Sequence, residues 1–94
     1  PSEALNRYRD RIREIALSHR GTNPRVFGSV LYGEDTEVSD LDILVEPTAE
    51  TTLFDIGAIS FELKELLCLE VDVLTPRALP EKWRQQVIDE ALAI

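Results

Sequence analysis

Three carboxylates and one glycine-led turn are the residues whose types and spacing could do chemistry. Gly28-Ser29 is followed, ten residues on, by Asp40-Leu41-Asp42, and a single Asp72 interrupts the later apolar run Glu70-Val71-Asp72-Val73-Leu74. Side chains alternate across a strand, so Asp40 and Asp42 project from the same face of the apolar segment that follows them. Two acids this close repel in an apolar setting and are tolerated when a divalent cation lies between them. Asp72 joins the pair if its strand is a neighbour. Hard oxygen ligands of this kind suit Mg²⁺ or Mn²⁺ and not zinc. Gly28 permits a tight turn with close backbone approach, and Ser29 adds a hydroxyl and an N–H. A short helical turn over Val30–Gly33 is expected next, and a helix N-terminus favours phosphate. Together these parts meet the needs of two-metal phosphoryl transfer, with a triphosphate between the turn and the ions. Taken singly, a Gly-Ser, an Asp-x-Asp or a strand Asp is common and uninformative. In combination they place three acids in or beside apolar strands, which only chemistry explains.

The elements that must position these residues follow an α/β order. Leu5, Tyr8, Ile12, Ile15 and Ala16 recur at helical spacing, with Ser2 as cap and His19-Arg20-Gly21 as the stop. A short strand from Arg25 to Gly28 comes next, and the polar stretch from Glu34 to Val38 connects to a strand from Leu41 to Glu46 that ends at Pro47. Leu53, Ile56, Ile59, Leu63, Leu66 and Leu67 form a second helical stripe, capped by Thr51 or Thr52. A strand from Glu70 to Thr75 precedes a loop and helix start marked by Pro76 and Pro80. Trp83, Val87, Ile88, Ala91 and Leu92 give a last helical face. There is no internal repeat and no low-complexity segment.

Ninety-four residues predict one small domain over 1–94 with a modest core. The chain carries 18 acidic and 10 basic residues, a net charge of −8. That balance argues against direct nucleic-acid binding and against anionic membranes, and an acidic face suits a basic protein partner. No segment is long and apolar enough to span a membrane, no signal-peptide pattern is present, and the start at Pro1 is expected of a processed or trimmed chain. Cys68 is the sole cysteine, so no internal disulfide forms. It is expected to be a small core residue, and a reduced, cytoplasmic setting is consistent with it.

The stretch Phe27-Gly28-Ser29-Val30-Leu31-Tyr32-Gly33-Glu34-Asp35, followed by Ser39-Asp40-Leu41-Asp42-Ile43-Leu44-Val45, resembles the signature of the nucleotidyltransferase superfamily, the DNA polymerase beta-like fold. More narrowly, the whole chain resembles the minimal nucleotidyltransferases, the MNT antitoxins paired with HEPN toxins. The resemblance implies a small mixed sheet of about three to four strands packed against helices. It implies a Gly28-Ser29 turn that holds nucleotide phosphates, metal-binding acids at Asp40 and Asp42, and Asp72 completing the catalytic site. Ser39, directly before the first acid, is counted with the nucleotide-binding residues because it could orient Asp40 or cap the strand. The implied activity is Mg²⁺-dependent transfer of AMP from ATP to a hydroxyl, a tyrosine on a HEPN RNase toxin, with the toxin as partner in a hetero-oligomer. The sequence departs from the family at Tyr32, where a basic residue is usual, and at Leu31, where a small one is. Tyr32 donates one neutral hydrogen bond at most, so this departure bears on nucleotide affinity and not on the fold.

Two further readings stand beside the enzyme. A degenerate transferase would inhibit its toxin by binding alone, and Tyr32 favours that. Transfer to a small molecule, as in aminoglycoside-modifying relatives, would need a dimer to complete the pocket. The remaining candidates are read as structural. His19 complements the dipole at a helix end, Lys64 and the loop acids Glu34 and Asp35 are solvated, and Trp83 is expected to seal the core in preference to anchoring a partner.

Overall fold

The computed structural model describes residues 2–28, 33 and 40–94. Its elements run α1 (Ser2–Arg7), α2 (Arg9–Ser18), β1 (Gly21–Phe27), β2 (Leu41–Pro47), α3 (Leu53–Leu67), β3 (Val71–Leu74), a 3₁₀ turn (Pro76–Ala78), α4 (Glu81–Glu90) and β4 (Leu92–Ala93). The sheet has the order β3-β2-β1-β4. β1 pairs antiparallel with both β2 and β4, and β2 pairs parallel with β3. This is the small mixed sheet against helices that the sequence predicts.

One face of the sheet carries the core. Leu41, Ile43 and Val45 of β2, Val71 and Val73 of β3 and Val26 of β1 are buried with Ile12, Ile15 and Ala16 of α2 and with Ile59, Leu63 and Leu67 of α3. The right-handed logic of a parallel pair requires a crossover, and α3 supplies it between β2 and β3. Its start is fixed by a capping box. The Thr52 hydroxyl accepts from the Asp55 N–H, and the Asp55 carboxylate accepts from the Thr52 N–H at 2.9 Å. These contacts hold the Asp55 carboxyl below its ordinary range, through the Thr52 backbone first and Arg20 after it.

Several expectations change. The first helical stripe is divided at Tyr8, although Tyr8 N–H still donates to Ala4 and Ile12 N–H to Tyr8, so two successive helices replace one. No glycine or proline marks the break. Ser2 is the first residue of α1 and not the residue before it. β1 begins at Gly21, four residues early, because a bulge between Thr22 and Arg25, with Asn23 at φ 45°, absorbs Pro24 into the strand. Leu53, expected on the buried stripe, is 88% exposed. Cys68 is exposed, not core, and ends α3 in the left-handed region at φ 54°. α4 buries none of its residues, and Trp83 is 51% exposed with Lys82 over its ring. The helix stops at Glu90 because Leu92 and Ala93 pair with Val26 and Arg25, satisfying a strand edge that another helical turn would leave open. α4 is tied down by Arg84, whose guanidinium donates to the carbonyls of Pro76, Arg77 and Leu79 at 2.8, 3.3 and 3.0 Å.

Candidate active site

Because Leu41, Ile43, Val71 and Val73 point into the core, the alternate residues Asp42 and Asp72 point out of the opposite face. The parallel register sets Asp42 beside Asp72, close enough for the charge of Asp72 to act on Asp42. On the other side of Asp42 lies Phe27, its partner in β1, and the chain turns away immediately afterwards at Gly28. Gly28 has φ 79°, and a Cβ there would collide with the Asp42 carboxylate. Glycine is therefore required twice at this position, for its backbone angle and for the passage of the chain over the acid. Asp40 directly precedes β2 and is exposed.

The electrostatics follow from this packing. Asp42 is pushed up to about 6, by burial first, then by the charges of Asp72 and Asp40. The pair thus keeps a proton well above the ordinary carboxylate range. As they stand, no three carboxylate, thiol or imidazole groups among the described residues converge tightly enough to cage an ion. Asp42 and Asp72 are the assembled part, and Asp40 acts on Asp42 through its charge. Two adjoining carboxylates whose burial and mutual charge favour a shared proton are a donor set fitted to a hard divalent ion, which would displace that proton.

Of the residues singled out in the sequence, the structure brings together Asp42, Asp72 and Gly28, with Asp40 alongside. Ser29, Ser39 and Tyr32, and the helical turn expected after the glycine, lie outside the described residues, as do Glu34 and Asp35. Four other residues weighed in the sequence take no part in the cluster. His19 bonds to Glu62, Lys64 pairs with Glu70 at 3.5 Å, and Trp83 and Cys68 lie on α4 and at the end of α3. Arg25 was given no role in the sequence, yet it belongs to the acid-bearing face. It stands across from Leu44, is 12% exposed, and pairs with Glu46, while its Nε has no hydrogen-bond partner. The signal was present in Arg25-Val26-Phe27: with Val26 in the core, alternation turns Arg25 toward the acids' side.

Residues 5–94 match the family described as nucleotidyltransferase domain. The chain belongs to that family. This nucleotidyltransferase is similar to two proteins of Methanocaldococcus jannaschii, each named "putative protein adenylyltransferase". One is 34% identical over 90 residues, covering 96% of this chain and 97% of the relative. The other is 28% identical over 91 residues, covering 97% and 93%. A solved structure described as a putative minimal nucleotidyltransferase superposes with a TM-score of 0.89 at 36% identity, over all of this chain and 96% of the other. A toxin–antitoxin crystal structure with AMP-PNP has a TM-score of 0.75 at 21% identity, over 89% of this chain and 69% of that one, and shares the fold. The enzyme class and the minimal nucleotidyltransferase fold are thereby established. Members of the family use a nucleoside triphosphate and a divalent metal ion.

Proposed function

We propose that this nucleotidyltransferase is an antitoxin that transfers AMP from ATP to a tyrosine hydroxyl of a HEPN RNase toxin, silencing it. The observation that carries the reading is the Asp42–Asp72 pair, set side by side by the β2–β3 register with Asp40 at its flank. The two relatives named for protein adenylylation and the fold shared with a toxin–antitoxin structure holding AMP-PNP support it.

Asp40, Asp42 and Asp72 would hold Mg²⁺, two ions in the full site with Mn²⁺ as a substitute. The ions would neutralise the charge that develops on the phosphoryl oxygens. The Gly28-Ser29 turn would hold the phosphates, with Ser39 beside Asp40. In the reaction the acceptor oxygen bonds to the α-phosphorus, the bond from that phosphorus to the bridging oxygen breaks, and pyrophosphate leaves with the electron pair. Asp72 is the residue assigned to accept the hydroxyl proton. The site is cytoplasmic in this reading, and neither nucleic acid nor membrane is its substrate. Among the described residues no helix is long and apolar enough to cross a membrane.

Intact-mass spectrometry of the toxin after incubation with the enzyme, ATP and Mg²⁺ tests the proposal. Addition of one or more AMP groups is expected, and Asp72→Asn should abolish it while leaving toxin binding intact. A toxin that is neutralised yet unmodified would overturn the enzyme reading in favour of inhibition by binding alone, which Tyr32 in place of the usual basic residue favours.

A further inference from the structure

The chain sets 10 basic side chains among 18 acidic ones. All but one of the basic groups are answered by a carboxylate, a carbonyl or an aromatic ring of the same chain. Arg77 is the exception. It is exposed, and its guanidinium has no ion pair, hydrogen bond or ring contact among the described residues. In a molecule of net charge −8, a cation left over in this way fits an anion brought from outside.

Arg77 stands on a fixed backbone. It lies in the 3₁₀ turn Pro76–Ala78, where the proline ring presets φ at the start. The Arg84 guanidinium grips the carbonyls of Pro76, Arg77 and Leu79, and Leu79 is buried. Little order has to be created here when a ligand arrives.

The turn lies on the acids' side of the sheet. Alternation along β2 puts Leu44 and Glu46 on the face of Asp42. Leu44 is fully buried although it stands outside the main core, and the 3₁₀ turn packs against β2. A cavity of about 220 Å³ opens between Thr75, Pro76 and Arg77 on one side and Glu46 and Pro47 on the other. It sits outside the carboxyl ends of the parallel strands β2 and β3, where open sheets receive ligands. Glu46 is already paired with Arg25, and the Thr75 hydroxyl makes no capping bond to the turn. Three guanidinium groups, those of Arg25, Arg77 and Arg84, thus accompany a single carboxylate.

Position selects the occupant. Four residues of strand, about 13 Å, separate Glu46 from Asp42. Gly28 follows Phe27, the partner of Asp42, so the turn assigned to the nucleotide phosphates lies at the opposite end of β2 from the cavity. The nucleoside end of ATP carries no anion. A negative group that reaches Arg77 therefore belongs to the acceptor.

We infer that Arg77 binds an acidic side chain of the acceptor protein, Asp or Glu, on the order of 13 Å from the hydroxyl that is modified, and so helps to select that acceptor. The inference rests on the transfer to a toxin proposed above. The guanidinium would hold the carboxylate by two parallel N–H bonds, with the Thr75 hydroxyl placed to donate a third.

Steady-state kinetics of toxin adenylylation, followed by intact mass with toxin and MgATP varied separately, tests this. Arg77→Gln should raise the KM for toxin about tenfold, and Arg77→Glu should raise it further. Arg77→Lys should fall between the wild type and Arg77→Gln, because an ammonium lacks the planar fork. The kcat and the KM for MgATP should hold in all three, as when binding is lost equally from ground state and transition state. Added salt should raise the wild-type KM for toxin and move that of Arg77→Gln less. An unchanged KM for toxin in Arg77→Gln would overturn the subsite and leave the proposed function standing. A rise in the KM for MgATP alone would assign the cavity to a nucleotide phosphate and overturn the inference as well. A wild type that adds no AMP to the toxin would overturn both.

Discussion

Asp42 behaves as two different groups depending on what lies beside it. Without a cation its folded pKa is about 6 against an ordinary 3.8, so the protonated form is the one the fold favours. That contribution is complete below about pH 4 and is lost as pH rises through about 6. Solvent still reaches the carboxyl, so the loss is expected to be about 1 kcal/mol and not the full value of the shift. Asp42→Asn should therefore match the metal-free wild type near pH 4 and exceed its stability at pH 8, as urea midpoints in EDTA would show. Mg²⁺ must displace the same proton, so its affinity should climb as pH rises through this range. Gly28 is the companion case. Gly28→Ala meets both a left-handed backbone and the Asp42 carboxylate, and should cost about 1–2 kcal/mol. Thermal denaturation should show that loss, and the MgATP-induced shift in Tm should shrink with it.

At the scale of the element, helix ends are where local chemistry and stability meet. Thr52→Ala removes one side of the capping box on α3 and should destabilise by about 1 kcal/mol in a urea titration. At the other end, Cys68 occupies a left-handed position that suits glycine. Cys68→Gly should stabilise by about 0.5–1 kcal/mol, measured the same way. These two ends also show what the sequence could and could not reveal. The sequence narrows this cap to Thr51 or Thr52, and the pairing with Asp55 decides for Thr52. A cysteine in the left-handed region carries no local signature, and its apolar neighbours suggested burial. Likewise the Val-Asp-Val alternation of β3 and the β-branched run of β2 announced strands with their acids on the face away from the core. The stripe on α3 did not reveal that Leu53 lies outside it, because periodicity fixes a residue's place around the helix and not whether the neighbouring elements reach it there. β4 is two residues long and exists only through its pairing with β1, information that no stretch of Leu92 and Ala93 contains.

For the molecule as a whole, ligand and fold are linked through the acid cluster. MgATP at a hundred times its Kd should stabilise the enzyme by about 2.7 kcal/mol. The Asp40→Ala, Asp42→Ala double variant should remain folded and lose most of that gain, and equal thermal shifts would refute the site. A broader consequence comes from the bulge in β1. Between Thr22 and Arg25 the strand advances three residues while β2 retreats two, from Glu46 to Leu44. The bulge absorbs one extra residue and so keeps everything downstream in phase. Were that residue paired regularly instead, Val26 would stand opposite Asp42 and Phe27 opposite Leu41, the core side chain would turn outward, and the glycine would arrive one step late. Loss of Asn23 would therefore only straighten the ladder, leaving Arg25 opposite Leu44 and Phe27 opposite Asp42. Loss of Val26 would be a frameshift in three dimensions, with Phe27 turned into the core and the glycine brought opposite Asp42, so this strand can shorten at its bulge but not within residues 25–27.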